Sequence, residues 1–252
     1  MGEKHFIEGI YNYCDRWCER CADTDRCRLY DRLQRDARRR AARGEDPDDP
    51  EVAIADVRRA LKRTMRLVTR HAKRMGLDLD AIAREAARAP APDWSTIDDH
   101  PLAREGMAYL DAGLELIEAV RQDFGETRDD VAQRSRFMEV NEEVDALAGV
   151  AEAADVLNWD VSLVAVKIKR VLGGLLKDAE ADADDERFHL EDAQATAGLV
   201  LRCLQRDARA LLAIYDWSDA HRDRALDLLA KTERLGRALR QAVGAPRDQH
   251  PR

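Results

Sequence analysis

Aromatic residues are scarce, at 5% of the 252 positions, and no segment alternates apolar and polar residues for long. Sheets draw on aromatic and β-branched residues at period two, so both shortages point away from a sandwich or barrel. No apolar run approaches the roughly 20 residues that span a bilayer. The opening MGEKHFIEGIYNY also lacks the roughly 7–15 apolar residues of a secretion signal. The expectation is a cytoplasmic protein with no membrane among its partners, in a compartment where structural disulfides are disfavoured. Gly-rich phosphate loops, EF-hand loops and a helix-turn-helix signature are absent as well. Lysine is rare, 7 against 35 arginines, so arginine clusters reflect a compositional bias and weigh less as sites.

What is present is charge, 37% of the chain, and apolar residues at helical spacing almost everywhere. GEDPDDP (44–50) and APAPDWSTIDDHP (89–101) hold five of the 7 prolines and read as linkers. They divide the chain into a cysteine-bearing helical module over 1–44, a basic amphipathic helix and linker over 45–98, and a helical bundle over 99–245. The three are expected to pack as one compact unit. Ile7, Ile10, Tyr11, Cys14, Cys18 and Cys21 share one face of a helix predicted over roughly 4–21, and a second runs from Cys27 to about Ala42. Asp49 caps and Pro50 opens the next helix. Its stripe of Ile54, Val57, Leu61, Met65, Val68, Ala72 and Met75 is expected to face a core.

Further on, a helix near 100–124 turns Met107, Leu110, Leu114, Ile117 and Phe124 inward and is expected to stop at Gly125. Thr127 and Asp130 then offer a capping-box variant to one helix of about 45 residues, kinked at Gly149. The acidic KDAEADADDERF (177–188) reads as a loop. Helices over about 190–215 and 218–243, the latter capped by Ser218, complete the set. The fold class is all-α: an up-down four-helix bundle over about 100–243, preceded by a cysteine-bearing helix-turn-helix and one basic amphipathic helix.

The densest chemical signal is YCDRWCERCADTDRCRLY (13–30), where Cys14, Cys18, Cys21 and Cys27, four of the 5 cysteines, fall within fourteen positions. On a continuous helix the first three lie within about 60° of one another. The break at ADTD, with Thr24 or Asp25 as cap, lets a turn swing Cys27 back to them. Packing explains the crowding poorly, because alanine would serve as well as a buried thiol. A disulfide between positions four apart is geometrically open, as a redox switch rather than a structural bridge. A metal centre held by all four thiolates is favoured. Cys14 and Cys21 would sit about 10.5 Å apart along a helix, which strains a single Zn2+ with bonds of roughly 2.3 Å. A [4Fe–4S] cluster accepts a wider base of thiolates and is preferred on that ground, with Zn2+ as the alternative. Tyr11, Trp17 and Tyr30 are candidates for a wall that keeps water from the centre.

A cluster implies electron transfer or redox sensing. Zinc implies structural locking, since four thiolates leave no open position for catalysis. The alternative function is a zinc-stapled binding module that grips nucleic acid or an acidic protein through the basic second segment. Residues 1–76 carry 19 Lys and Arg against 14 Asp and Glu, whereas 77–252 carry 23 against 36. Arg59, Arg63, Arg66 and Arg70 lie opposite the apolar stripe of their helix and are candidates for an anion-binding face. Docking on the acidic bundle of the same chain, or plain solvation, is preferred there to nucleic acid, given the net charge of −8, and a protein or redox partner stays open. A second alternative is a di-iron carboxylate enzyme, which wants two Glu-x-x-His pairs. The only such pair is Glu186 with His189, and Glu139, Glu143, Glu152 and Asp155 read as a solvated face. Cys203, Asp207 and His221 read as packing residues. No residue is singled out as catalytic, and an enzyme is the less favoured class.

Overall fold

The computed structural model describes residues 5–46, 48–88, 94–176 and 183–244. Among the described residues there is no strand. The α-helices are α1 (Arg28–Ala42), α2 (Pro50–Met75), α3 (Leu79–Arg88), the single turn α4 (Ser95–Asp98), α5 (Pro101–Arg134), α6 (Asn141–Leu175), α7 (Ala183–Trp217) and α8 (Arg222–Val243). The chain divides into two compact units: residues 5–8 with 18–88, and residues 9–17 with 94–244.

The second unit is the four-helix bundle. Helix α5 packs on α6 and α8, and α7 packs on the same two, so consecutive long helices close an up-down ring. Its core is aliphatic, with Leu116, Leu157, Ile168, Leu172, Leu211, Ile214, Leu228, Leu235 and Leu239 fully buried. Glycine sets two close approaches. A Cβ on Gly113 would come within 2.7 Å of Val161 Cγ1, and one on Gly174 within 3.0 Å of the His189 carbonyl oxygen, so only glycine lets α5 and α7 sit this close to α6. Helix α5 starts as a proline-led helix should, with His100 Nδ1 accepting from the Leu102 amide at 3.1 Å.

Several boundaries depart from expectation. Helix α5 runs through Gly125 to Arg134, and Thr127 Oγ1 donates to the Asp123 carbonyl at 2.8 Å instead of capping a new helix. Glycine inside a helix costs only about 1 kcal/mol. Here the continuation lets Val131 pack with Val140 and Leu147 in a small satellite core that Phe124 joins to the main one. The break comes at 135–140, and α6 passes Gly149 without interruption. In α5 Ile117 is buried as expected, with Tyr109, Leu116 and Val120 as its core companions, while Met107 and Leu114 are exposed. Residues 183–188 of the acidic stretch are helical, and 177–182 lie outside the described residues. Ser218 precedes a 3-10 turn, and α8 begins at Arg222.

The first unit holds α1, α2 and α3. Helix α2 has the ends its sequence specifies: Asp49 Oδ1 accepts from the Glu51 amide at 2.8 Å, Pro50 opens the helix, and Gly76 closes it at φ 69°. Its apolar stripe, however, does not face a core. Ile54, Val57, Leu61, Met65, Val68 and Met75 are 43–60% exposed, and only Ala72 is buried. Helix α1 meets α2 about a quarter-turn away, along Ala60, Thr64 and Leu67, with Arg40 paired to Asp56 and Arg63 to Asp36. Among the described residues no helix is long and apolar enough to cross a membrane.

The α-helix expected over 4–21 is replaced by 3-10 turns at Ile10–Asn12, Cys18–Arg20 and Thr24–Arg26. Gly9 and Arg16 take left-handed φ values of 69° and 62°, which an α-helix cannot contain. Between them Asp15 Oδ1 accepts from the Trp17 amide at 3.0 Å, a local turn that competes with helix.

Candidate functional site

Among the described residues no disulfide joins the five cysteines. Cys18 and Cys21 bracket one 3-10 turn, with the Cys21 amide donating to the Cys18 carbonyl at 3.3 Å. Side chains three apart on such a turn eclipse one another, the register in which a C-x2-C pair can share a side. Cys27 ends the next turn and caps α1, its Sγ accepting from the Tyr30 amide at 3.5 Å. These three cysteines belong to the first unit and Cys14 to the second. Cys14 Sγ donates to the Tyr11 carbonyl at 3.7 Å. Half-buried Lys167 carries a pKa held below the usual ammonium range by burial, then by Arg170 and Arg16, while negative charge on Cys14 acts the other way. Among the described residues no three His, Cys, Asp or Glu side chains are gathered closely enough to hold a metal ion, so a centre would have to draw its thiols together.

The three aromatics expected to wall the centre lie on separate local turns. Trp17 stacks on Trp159 with ring centroids 5.1 Å apart, and the Arg206 guanidinium lies 5.4 Å from its ring centre. Tyr30 lies on the first turn of α1, and Tyr11 on the turn before Cys14. What carries the segment 9–17 is a clamp on the bundle. Arg206 on α7 donates to both oxygens of Asp160 on α6, at 2.6 and 2.7 Å, and to Asp15 at 2.8 Å. Trp159 Nε1 donates to the Asp15 carbonyl at 3.0 Å, and Arg202 to the Tyr13 carbonyl at 3.3 Å. The Tyr13 hydroxyl donates to Asp192 at 3.0 Å. Burial works to raise the Asp192 pKa, but hydrogen bonds from Arg170 and Tyr13 outweigh it and hold the carboxyl below its ordinary range.

Behind Arg206 lies a polar layer wholly inside the bundle. Asp160, Asp207 and Tyr109 are fully buried, and the Tyr109 hydroxyl donates to Asp207 Oδ2 at 2.8 Å. Asp207 Oδ1 is buried and receives no hydrogen bond. Burial, then the Asp160 charge, raises the Asp207 pKa well above the carboxylate range, and its protonated form bonds to Asp160. One proton thus joins the two carboxyls, and Oδ1 becomes a donor rather than an orphan acceptor. Cys203 beside them is inert, its pKa pushed far up by burial and by Asp160. His221 is buried as expected, stacked on Trp217, with Nε2 2.9 Å from Asp123 Oδ2.

Of the four arginines expected to meet an anion, Arg59 and Arg63 line a groove of about 320 Å³ with Arg32, Arg39, Arg40 and Arg43 of α1, where Asp36 and Asp56 partly neutralise them. Arg66 and Arg70 are exposed outside that groove. The carboxylates of the di-iron alternative, Glu139, Glu143, Glu152, Asp155 and Glu186, are exposed and not brought together in the core. Asp160 is the core carboxylate that sequence reasoning missed. A signal exists: it lies three after Leu157 and four before Val164, inside an apolar stripe. Arg206 and Trp159, on partly exposed faces, carry no such mark. Comparison with protein-family profiles, curated proteins and solved structures finds no match for this chain.

Proposed function

We propose that the chain is a helical binding module stapled by a thiolate-bound metal, with Cys14, Cys18, Cys21 and Cys27 as ligands and Zn2+ ahead of a [4Fe–4S] cluster. The observation that carries this reading is the 3-10 turn bracketed by Cys18 and Cys21, the setting in which zinc sites take a C-x2-C pair. Preference for a cluster rested on an α-helix that spreads Cys14 and Cys21 apart. The 3-10 turns and irregular backbone over 14–21 do not impose that spacing, which favours zinc in this reading. A cytoplasmic, reducing setting would leave the four thiols available for metal. A zinc ion on four thiolates fixes backbone and offers no open position to a substrate, so binding rather than catalysis is the role that goes with it. Supporting that role, the second structured segment displays an apolar stripe and a basic flank on one exposed helix.

Elemental analysis of protein prepared without oxygen and without a metal-binding tag tests the assignment. One zinc per chain, colourless, and lost in Cys18→Ser is the expected result. Metal content unchanged by that substitution would sink the ligand set. Iron with sulfide and absorption at about 400 nm would restore the cluster, and with it electron transfer or redox sensing.

A further inference from the structure

We infer that α2 is a docking helix whose occupant is an acidic amphipathic helix of another protein. This deepens the binding-module reading above and does not depend on which metal the cysteines hold. Ile54, Leu61, Val68 and Met75 recur every seven residues, the spacing of a coiled-coil seam. Val57, Met65 and Ala72 widen that seam, and all but Ala72 are about half exposed. Helix α1 occupies one side of α2, along Ala60, Thr64 and Leu67. On the other side Arg58 and Lys62 border the stripe, at about 100° per residue, with Lys73 and Arg66 behind them. The whole helix carries eight Lys and Arg against Glu51 and Asp56, and Asp56 is already paired with Arg40 and Arg59.

Charge selects among the occupants. A second copy would bring Arg58, Lys62, Arg66 and Lys73 of one α2 beside the same four of another, and like charges across a seam disfavour pairing. A nucleic-acid backbone would meet the cations and leave the apolar stripe in water. A lipid surface favours aromatic anchors beside the apolar face, and α2 has no Trp, Tyr or Phe. An α-helix with an apolar seam flanked by Glu or Asp satisfies both features of α2 at once.

The test uses the full chain and a fluorescent designed helix of about four heptads, with Leu at a and d and Glu at e and g. Its twin has Lys at e and g. Anisotropy at about 150 mM salt is expected to show micromolar binding of the Glu peptide and at least tenfold weaker binding of the Lys twin. Leu61→Gln with Val68→Gln should cost at least tenfold, and Arg58→Gln with Lys62→Gln several-fold, at unchanged helicity because all four side chains are exposed. No binding of the Glu peptide, or equal binding of both peptides, overturns the proposal. So does a concentration-dependent dimer abolished by Leu61→Gln, which gives the face to a second copy. Binding of phosphatidylglycerol vesicles or of a DNA duplex in place of the Glu peptide gives it to lipid or nucleic acid. Metal content measured on the same preparations separates failure of the docking face from failure of the cysteine assignment.

Discussion

Helices α2 and α6 carry apolar residues at the same three-four spacing and end in opposite surroundings. In α6, Leu157, Val161, Val164, Ile168 and Leu172 are at most 1% exposed, sealed by α5 and α7. In α2, Ile54, Leu61, Val68 and Met75 stand half in water. Small residues on the apolar face separate the two. Ala153, Ala154, Ala165 and Gly174 of α6, with Gly106 and Gly113 of α5, let neighbouring backbones approach until side chains interdigitate. The stripe of α2 is large side chains throughout, save Ala72, and Ala72 is the one residue of it that is buried. Periodicity states that a helix has an apolar face; small residues at contact points tell whether a neighbour in the same chain closes on it.

That contrast can be broken most forcefully at the clamp. Arg206→Ala leaves Asp160 buried and unpaired, and losing one partner of a buried ion pair costs about 3–5 kcal/mol. Chemical denaturation is expected to show that loss for the bundle, together with new protease cleavage in residues 9–17. An unchanged midpoint would mean that Asp160 finds another partner or a proton. Next, Leu157→Ala should cost about 2–5 kcal/mol, whereas Leu61→Ala, on the open stripe, should stay within about 0.5 kcal/mol. Similar losses in both would show α2 covered in solution.

The smallest effect sharpens the account of the buried layer. Asp207 binds its proton more tightly folded than unfolded, so its contribution to stability is complete below about pH 4. It is lost as pH rises through the raised native value. Asp207→Asn keeps an acceptor for Tyr109 and a donor for Asp160 without a titrating proton. The variant should match the parent near pH 4 and gain up to about 1–3 kcal/mol over it at alkaline pH, the class of penalty for a buried polar group without a partner. Thermal unfolding across that range checks it, and a constant difference would contradict proton sharing.

Much of this architecture was legible in the residues. The ends of α2 follow from Asp49, Pro50 and Gly76, α1 is expected after the break at ADTD, and the four bundle helices follow from their stripes. The break between α5 and α6 was misread, because Gly125 marks a helix end only when nothing beyond it packs, and Val131 packs. The cysteine segment was misread for a related reason. Its apolar spacing fits a helix, but Asp15 answers to Arg206 and Trp159, more than 140 residues away, and no local pattern encodes that. The polar layer of Asp160, Asp207 and Tyr109 was half legible, as charges set inside apolar stripes.

The four-thiolate assignment is tested most directly by X-ray absorption at the edge of the metal that copurifies with the full chain. The account predicts zinc with four sulfur neighbours at about 2.3 Å and no lighter ligand, falling to three sulfurs or to no metal in Cys21→Ser. Nitrogen or oxygen ligands in the intact protein, or a spectrum unchanged by Cys21→Ser, would contradict it.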